Sequence, residues 1–141
     1  MRVAVSGYMD PIHKGHVEYL KLAKEFAGPD GTLVVILNTD HQATLKKGRP
    51  FMSCEERKII LEAIRYVDEV ILAVDEDGTV CKTLPLTNAQ YFIKGGDRYS
   101  YEIPEAKVCR ELGITILDGF GDKIQSSSAL TGLVELKKKS N

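Results

Sequence analysis

A chain of 141 residues with 43% hydrophobic and 28% charged residues has the makeup of one soluble globular domain, since domains usually run to about 100–150 residues. Its formal net charge of −1 excludes a global field that would recruit nucleic acid or an anionic membrane, so any attraction for phosphate must be local. The cysteines, Cys54, Cys81 and Cys109, form no Cys-x-x-Cys pair, which argues against a zinc site or disulfide framework and for a reducing compartment. The opening apolar stretch is far too short for a signal peptide or a membrane span. The expectation is a cytoplasmic protein forming a single domain over residues 1–141.

The first apolar run, Arg2–Ser6, reads as a short buried strand. It passes straight into Gly7-Tyr8-Met9-Asp10-Pro11-Ile12-His13-Lys14-Gly15-His16. This segment opens a helix over Gly15–Ala27, in which Val17, Leu20, Ala23 and Ala27 recur at helical spacing and Gly28-Pro29 is the stop signal. Gly7 removes a side chain where the backbone must turn and let a ligand approach. His13 and His16, three apart, share one face of the opening turn, and the amides and positive dipole end of that turn favour anions. Two imidazoles placed there can donate to non-bridging phosphate oxygens, and those bonds strengthen as charge builds in a transition state. Such histidines can also simply cap a helix. A catalytic zinc site normally takes three protein ligands, and His41 is the one other histidine, so no metal site is expected here.

A second strand is expected at Leu33–Asn38. After it, Lys46, Lys47, Arg49 and Arg57 put four cations within a dozen residues around Gly48 and Pro50. A mobile loop of this kind can close over phosphates, arginine offering a bidentate fork and lysine a point charge; a plain basic surface loop has the same makeup. Ser53-Cys54-Glu55-Glu56 reads as a capping box. It starts a helix with Ile59, Ile60, Ala63, Ile64 and Val67 on one face, and a third strand follows at Glu69–Val74.

The fourth strand, Tyr91–Lys94, ends in Lys94-Gly95-Gly96-Asp97. Paired glycines let a base or ribose approach the backbone, and Asp97 can accept from a ribose hydroxyl, although a tight turn reads the same. A helix over Glu102–Leu112, ended by Gly113, leads to a fifth strand, Thr115–Asp118. Ser126-Ser127-Ser128 then open a last helix from Ser127 to Lys138. Hydroxyls there can cap the helix and also bind phosphate alongside free amides. The closing Lys137-Lys138-Lys139 suits the negative end of a helix dipole.

Continuous apolar strands alternating with helices predict an α/β fold: a single doubly wound, five-stranded parallel sheet with helices on both faces. Ligands of such sheets bind outside the carboxyl ends of the strands, where all three motifs fall. There is no Gly-x-x-x-x-Gly-Lys-Ser/Thr loop and no Gly-x-Gly-x-x-Gly after the first strand, which counts against a P-loop NTPase and a dinucleotide oxidoreductase. No basic face interleaved with aromatics marks a nucleic-acid binder.

The stretch Gly7-x-Met9-Asp10-x-x-His13-x-Gly15-His16 resembles the His-x-Gly-His signature of the cytidylyltransferase-like nucleotidyltransferases, with Met9 where that family usually carries phenylalanine. The lysine loop with Arg57, the Lys94–Asp97 turn and the serine run are similar to further motifs of the family, in the same order. The resemblance implies a Rossmann-like fold and transfer of a nucleoside monophosphate from CTP or ATP to a small phosphorylated polyol or sugar, releasing pyrophosphate. Ile60–Ile71 looks like glycerol-3-phosphate cytidylyltransferase, and Lys94–Asp97 like a heptose-phosphate adenylyltransferase. The alternatives are an adenylyltransferase of a cofactor pathway, of the FAD, pantetheine or NAD type, and a nucleotide-binding module without catalysis. Carried over residue by residue, His13, His16, Lys46, Lys47 and Arg57 would be catalytic. Gly7, Tyr8, Met9, Asp10, Gly15, Lys94, Gly95, Gly96, Asp97, Ser126, Ser127 and Ser128 would hold the nucleotide. Which of the two lysines contacts phosphate stays open, as does the choice of CTP or ATP. The resemblance also implies Mg²⁺ arriving with the triphosphate, and a homodimer.

Overall fold

The structure, a computed structural model, describes residues 1–95 and 103–120. In chain order it runs β1 (Arg2–Gly7), α1 (Lys14–Ala27), β2 (Thr32–Leu37), α2 (Asp40–Lys47), α3 (Cys54–Glu62), β3 (Glu69–Leu72), α4 (Leu84–Thr87), β4 (Tyr91–Gly95), α5 (Glu105–Leu112) and β5 (Thr115–Phe120). The five expected strands form one sheet in the order β3-β2-β1-β4-β5, and every pairing is parallel.

The apolar runs are continuous because both faces of the sheet are covered. Val3, Ala4, Val5 and all of Leu33 to Leu37 are fully buried, each large side chain among them contributing about 1.5–3 kcal/mol. On one face Val5, Leu33, Val35 and Ile93 pack against Leu20 and Ala23 of α1 and Leu61 of α3. On the other, Ala4, Ile36 and Phe92 meet Leu84 of α4 and Ala106 and Cys109 of α5. The chain leaves β1 towards β2 and leaves β4 towards β5, in opposite directions across the sheet. Neighbouring strands whose connections diverge leave a crevice at their carboxyl ends. That crevice lies between β1 and β4.

Local detail departs from the sequence expectations in several places. Helix α1 starts at Lys14, and Val17 is exposed while Tyr19 is buried, its hydroxyl donating to the Ile93 carbonyl at 2.6 Å. Gly28, at φ 90°, ends the helix as expected. Helix α3 ends at Glu62, short of the apolar pattern, with Ile59 and Ala63 exposed and Arg57 and Leu61 in the buried positions. The reason is that the Arg57 side chain is anchored inward, which rotates the buried face. Ser53 caps α3 by accepting from the Glu56 amide at 3.2 Å. The third strand stops at Leu72 rather than Val74, and the helix expected from Glu102 begins at Glu105.

Two helices were not anticipated. Helix α2 occupies the stretch expected to be a lysine loop, and α4 is a single turn with Pro85 near its start. The last expected helix, Ser127 to Lys138, lies outside the described residues. Among the described residues no helix is long and apolar enough to cross a membrane.

Candidate active site

A cavity of about 680 Å³ opens at the crevice between β1 and β4. Of the residues singled out from sequence, Gly7, Tyr8, Met9, Asp10, His13, His16, Lys46, Lys47 and Lys94 line it. The structure thus brings together segments that are up to 87 positions apart, the span from Gly7 to Lys94. Gly15, Gly95 and Arg57 are not in its wall, and Gly96, Asp97, Ser126, Ser127 and Ser128 lie outside the described residues.

The two histidines build the start of α1. His13 is the N-cap, and its Nδ1 accepts from the Gly15 amide at 3.1 Å. His16 reciprocates, its Nδ1 accepting from the His13 amide at 3.1 Å. Capping and presentation to the cavity are therefore one arrangement. Because each Nδ1 is an acceptor, the neutral ring must carry its proton on Nε2. The ring centroids stand 4.0 Å apart. Burial, helped by the neighbouring His13, lowers the pKa of His16 to about 4. At neutral pH His16 is consequently an uncharged N–H donor.

Asp10 fastens the turn after β1 to the segment that follows α2. Its fully buried carboxylate takes Lys47 Nζ at 2.7 Å and the Phe51 and Met52 amides, each at 2.7 Å. Burial alone would raise this carboxyl, but the Lys47 ammonium and the two amides outweigh it and hold it below the ordinary carboxylate range. Lys47 also donates to the Asp10 carbonyl at 3.1 Å. Lys46, by contrast, stands with Nζ 4.4 Å from the centre of the Tyr8 ring, a cation–π placement that keeps its N–H groups available. Burial raises the Tyr8 phenol, opposed by the charge of Arg57. Met9 is buried at φ 50° and folds back so that a Cβ on Gly7 would come within 3.1 Å of its Cε. The side chain that replaces the family's phenylalanine is thus a core filler beneath the site.

Arg57 is 1% exposed. Nε donates to the Met52 carbonyl at 3.0 Å, Nη1 to the carbonyls of Tyr8 at 2.6 Å and Asn38 at 2.9 Å, and Nη2 to Asp40 at 2.9 Å. One guanidinium therefore pins the ends of β1 and β2 and the start of α3 to each other.

The sequence reading passed over Asn38, Gln42, Gly78, Val80 and Glu105, all in the cavity wall. For Gln42 a signal existed. Thr39-x-x-Gln42 is a capping box, realised with Gln42 Oε1 accepting from the Thr39 amide at 3.1 Å and the Thr39 hydroxyl accepting from the Gln42 amide at 3.3 Å. The fully buried Gln42 then donates Nε2 to the carbonyls of Asp77 and Thr79, at 2.7 and 2.8 Å, holding the loop that supplies Gly78 and Val80. No local pattern marks Glu105, whose role depends on where α5 packs.

The cytidylyltransferase-like family model matches residues 4–127. The chain belongs to that family. Among cytidylyltransferase-like relatives, it is 35% identical over 132 residues to the FAD synthase of Korarchaeum cryptofilum, covering 89% of this chain and 87% of that protein. It is 45% identical over 73 residues to the FAD synthase of Pyrococcus horikoshii, where the match takes in 51% of this chain and 47%, about half, of that protein. The Bifunctional protein HldE of Sulfurimonas denitrificans is 33% identical over 120 residues, 83% of this chain but 24% of that longer protein. A crystal structure of the lipopolysaccharide core biosynthesis protein from Thermoplasma volcanium superposes with a TM-score of 0.68 at 29% identity, over 84% of this chain and 94% of that one.

Proposed function

We propose that this chain transfers an adenylyl group from ATP to the phosphate of an acceptor of the FMN type, releasing pyrophosphate, as an FAD synthase does. The coarse reaction, nucleotidyl transfer, rests on the family. The choice of acceptor rests on relatives named FAD synthase that align along most of both chains, whereas a heptose-phosphate acceptor is supported by a relative of which only 24% is matched. This preference replaces the small polyol or sugar phosphate favoured by the sequence motifs.

The observation that carries the mechanism is the paired use of Nδ1 at His13 and His16. It leaves two Nε2–H donors beside an amide-rich helix start, within a cavity that also holds Lys46 and Lys47. An acceptor phosphate oxygen attacks the α-phosphorus in line. The bond from that phosphorus to the bridging oxygen breaks, and pyrophosphate leaves. No side chain forms a covalent intermediate, because positioning and charge neutralisation lower the barrier. The Nε2–H groups and Lys46 gain interaction energy as charge accumulates on the phosphoryl oxygens. Lys47 and Arg57 position the walls, Lys47 through Asp10 and Arg57 through backbone carbonyls.

Mg²⁺ would supply charge neutralisation across the triphosphate oxygens. The cavity wall offers it the carboxylates of Asp10 and Glu105; both oxygens of Asp10 are engaged by Lys47 and two amides and one oxygen of Glu105 by the Val80 amide, so the ion would be held chiefly by substrate phosphates and water, as Mg²⁺ commonly is.

Pyrophosphate release, measured with each of four NTPs against FMN, glycerol-3-phosphate and heptose-1-phosphate, tests the reading. Turnover with ATP and FMN, and with neither other acceptor, is expected. Turnover confined to CTP with a polyol phosphate would refute the acceptor, and nucleotide binding without turnover on any acceptor would refute the catalytic reading.

A further inference from the structure

The cavity wall draws residues from both faces of the sheet. From the face of the sheet that carries α1 come the histidines, with Lys46 and Lys47 close by in the wall; from the opposite face, at the start of α5, comes Glu105. Glu105 is 6% exposed. One carboxylate oxygen, Oε2, accepts from the Val80 amide at 3.0 Å, which ties α5 to the loop held by Gln42. The other, Oε1, has no protein donor among the described residues. A buried carboxylate is ordinarily surrounded by donors, since an unmet oxygen forgoes solvation without compensation. This one belongs to a residue of the cavity wall, on the face of the sheet opposite to the helix that carries the histidines.

We propose that Glu105 determines substrate orientation and specificity by accepting a hydrogen bond, through Oε1, from a neutral N–H or O–H group on the organic part of a bound substrate. The inference rests on reading the cavity as a nucleotidyl-transfer site. An ionised carboxylate is an acceptor only. It repels a phosphate and attracts an amino or hydroxyl donor, so it sets which way round a molecule with a phosphate at one end can lie. The donor belongs either to the nucleotide, as the exocyclic amine of adenine or a ribose hydroxyl, or to the acceptor, as a hydroxyl of a polyol chain. The chemistry at Oε1 is the same in each case.

The conservative change Glu105→Gln separates this role from a structural one. Its carbonyl oxygen can keep the Val80 bond, while its amide group turns a donor towards the cavity where an acceptor stood. Binding, by calorimetry, and turnover are measured for ATP, purine riboside triphosphate, 2′-deoxy-ATP and 3′-deoxy-ATP, then for FMN and a flavin phosphate whose side chain lacks hydroxyls. Wild type is expected to bind one of these analogues about 10- to 100-fold more weakly than its parent. In Glu105→Gln the parent should weaken to the level of that analogue, and the difference between them should vanish. The analogue that loses affinity names the source of the donor. Should wild type bind all analogues within about twofold of the parents, or Glu105→Gln keep the discrimination, the proposal is overturned; the wild-type comparison decides even if the variant does not fold. Binding that discriminates in a protein releasing no pyrophosphate would remove the catalytic reading and leave Glu105 supported.

Discussion

Replacing Arg57 by methionine preserves volume and removes every guanidinium donor. The structure assigns four hydrogen bonds to that group, three of them to the carbonyls of Tyr8, Asn38 and Met52 and one to Asp40. A buried carbonyl stripped of its donor costs on the order of 1 kcal/mol when it retains some other interaction. Asp40 is 43% exposed on its side chain, so water takes over there and its share is small. The sum, about 3–4 kcal/mol, agrees with what breaking a buried charged contact usually costs. For a domain of this size that is a fall in Tm of roughly 10 °C, from a total stability of about 5–15 kcal/mol. Thermal unfolding followed by circular dichroism and urea titration would read it. A stability change under about 1 kcal/mol, accompanied by complete loss of kcat/KM, would refute this account: Arg57 would then be acting on substrate rather than on the backbone.

Further outcomes follow from the same geometry. His13→Asn keeps a good N-cap but removes an imidazole, so turnover should fall by about two orders of magnitude with Tm nearly unchanged; equal rates would exclude His13 from the reaction. For His16, the depressed folded-state value of about 4 means the unfolded chain, titrating near 6.5, binds more protons in between. Stability is therefore full above about pH 6.5 and is lost as pH falls towards 4. His16→Asn should flatten that slope in denaturant titrations run across this range, and an unchanged slope would contradict the assignment. Lys46→Gln should reduce kcat/KM by roughly 10- to 100-fold without altering stability, whereas Lys47→Gln should lower both, because it also leaves Asp10 short of a partner. Gln42→Leu strands the Asp77 and Thr79 carbonyls and should cost about 2–3 kcal/mol, raising KM through the loosened Gly78–Val80 wall.

Much of the scaffold was legible beforehand. The β1 and β2 runs are apolar without interruption because both their faces are buried, and that pattern gave a parallel α/β sheet directly. The His13–His16 segment was legible as a strand-to-helix turn placing both imidazoles on one face at the sheet's carboxyl edge, since spacing and position after a strand are local properties. Helix α3 shows the limit. Counting apolar residues put Ile59 and Ala63 inside, yet a buried arginine took the inward position, because its hydrogen bonds to three backbone carbonyls and to the Asp40 carboxylate outweigh the burial of one isoleucine. Helix α2 was announced by its Thr39-x-x-Gln42 cap, but its Lys46, Lys47 and Gly48 end has the composition of a basic loop, because the helix is short and has few apolar residues to mark a buried face.

What the sequence by itself determined is the class of sheet, the strand–turn–helix that presents two imidazoles, and the family to which such a segment belongs; each depends on neighbours within a dozen positions. The tertiary structure alone decided that Lys47 serves Asp10 while Lys46 stays available, that Arg57 braces backbone away from the cavity wall, and that Glu105 joins that wall. Those outcomes depend on which side chains meet across the crevice between β1 and β4. Contact between residues up to about ninety positions apart is created by strand order and helix packing, and no local pattern encodes it.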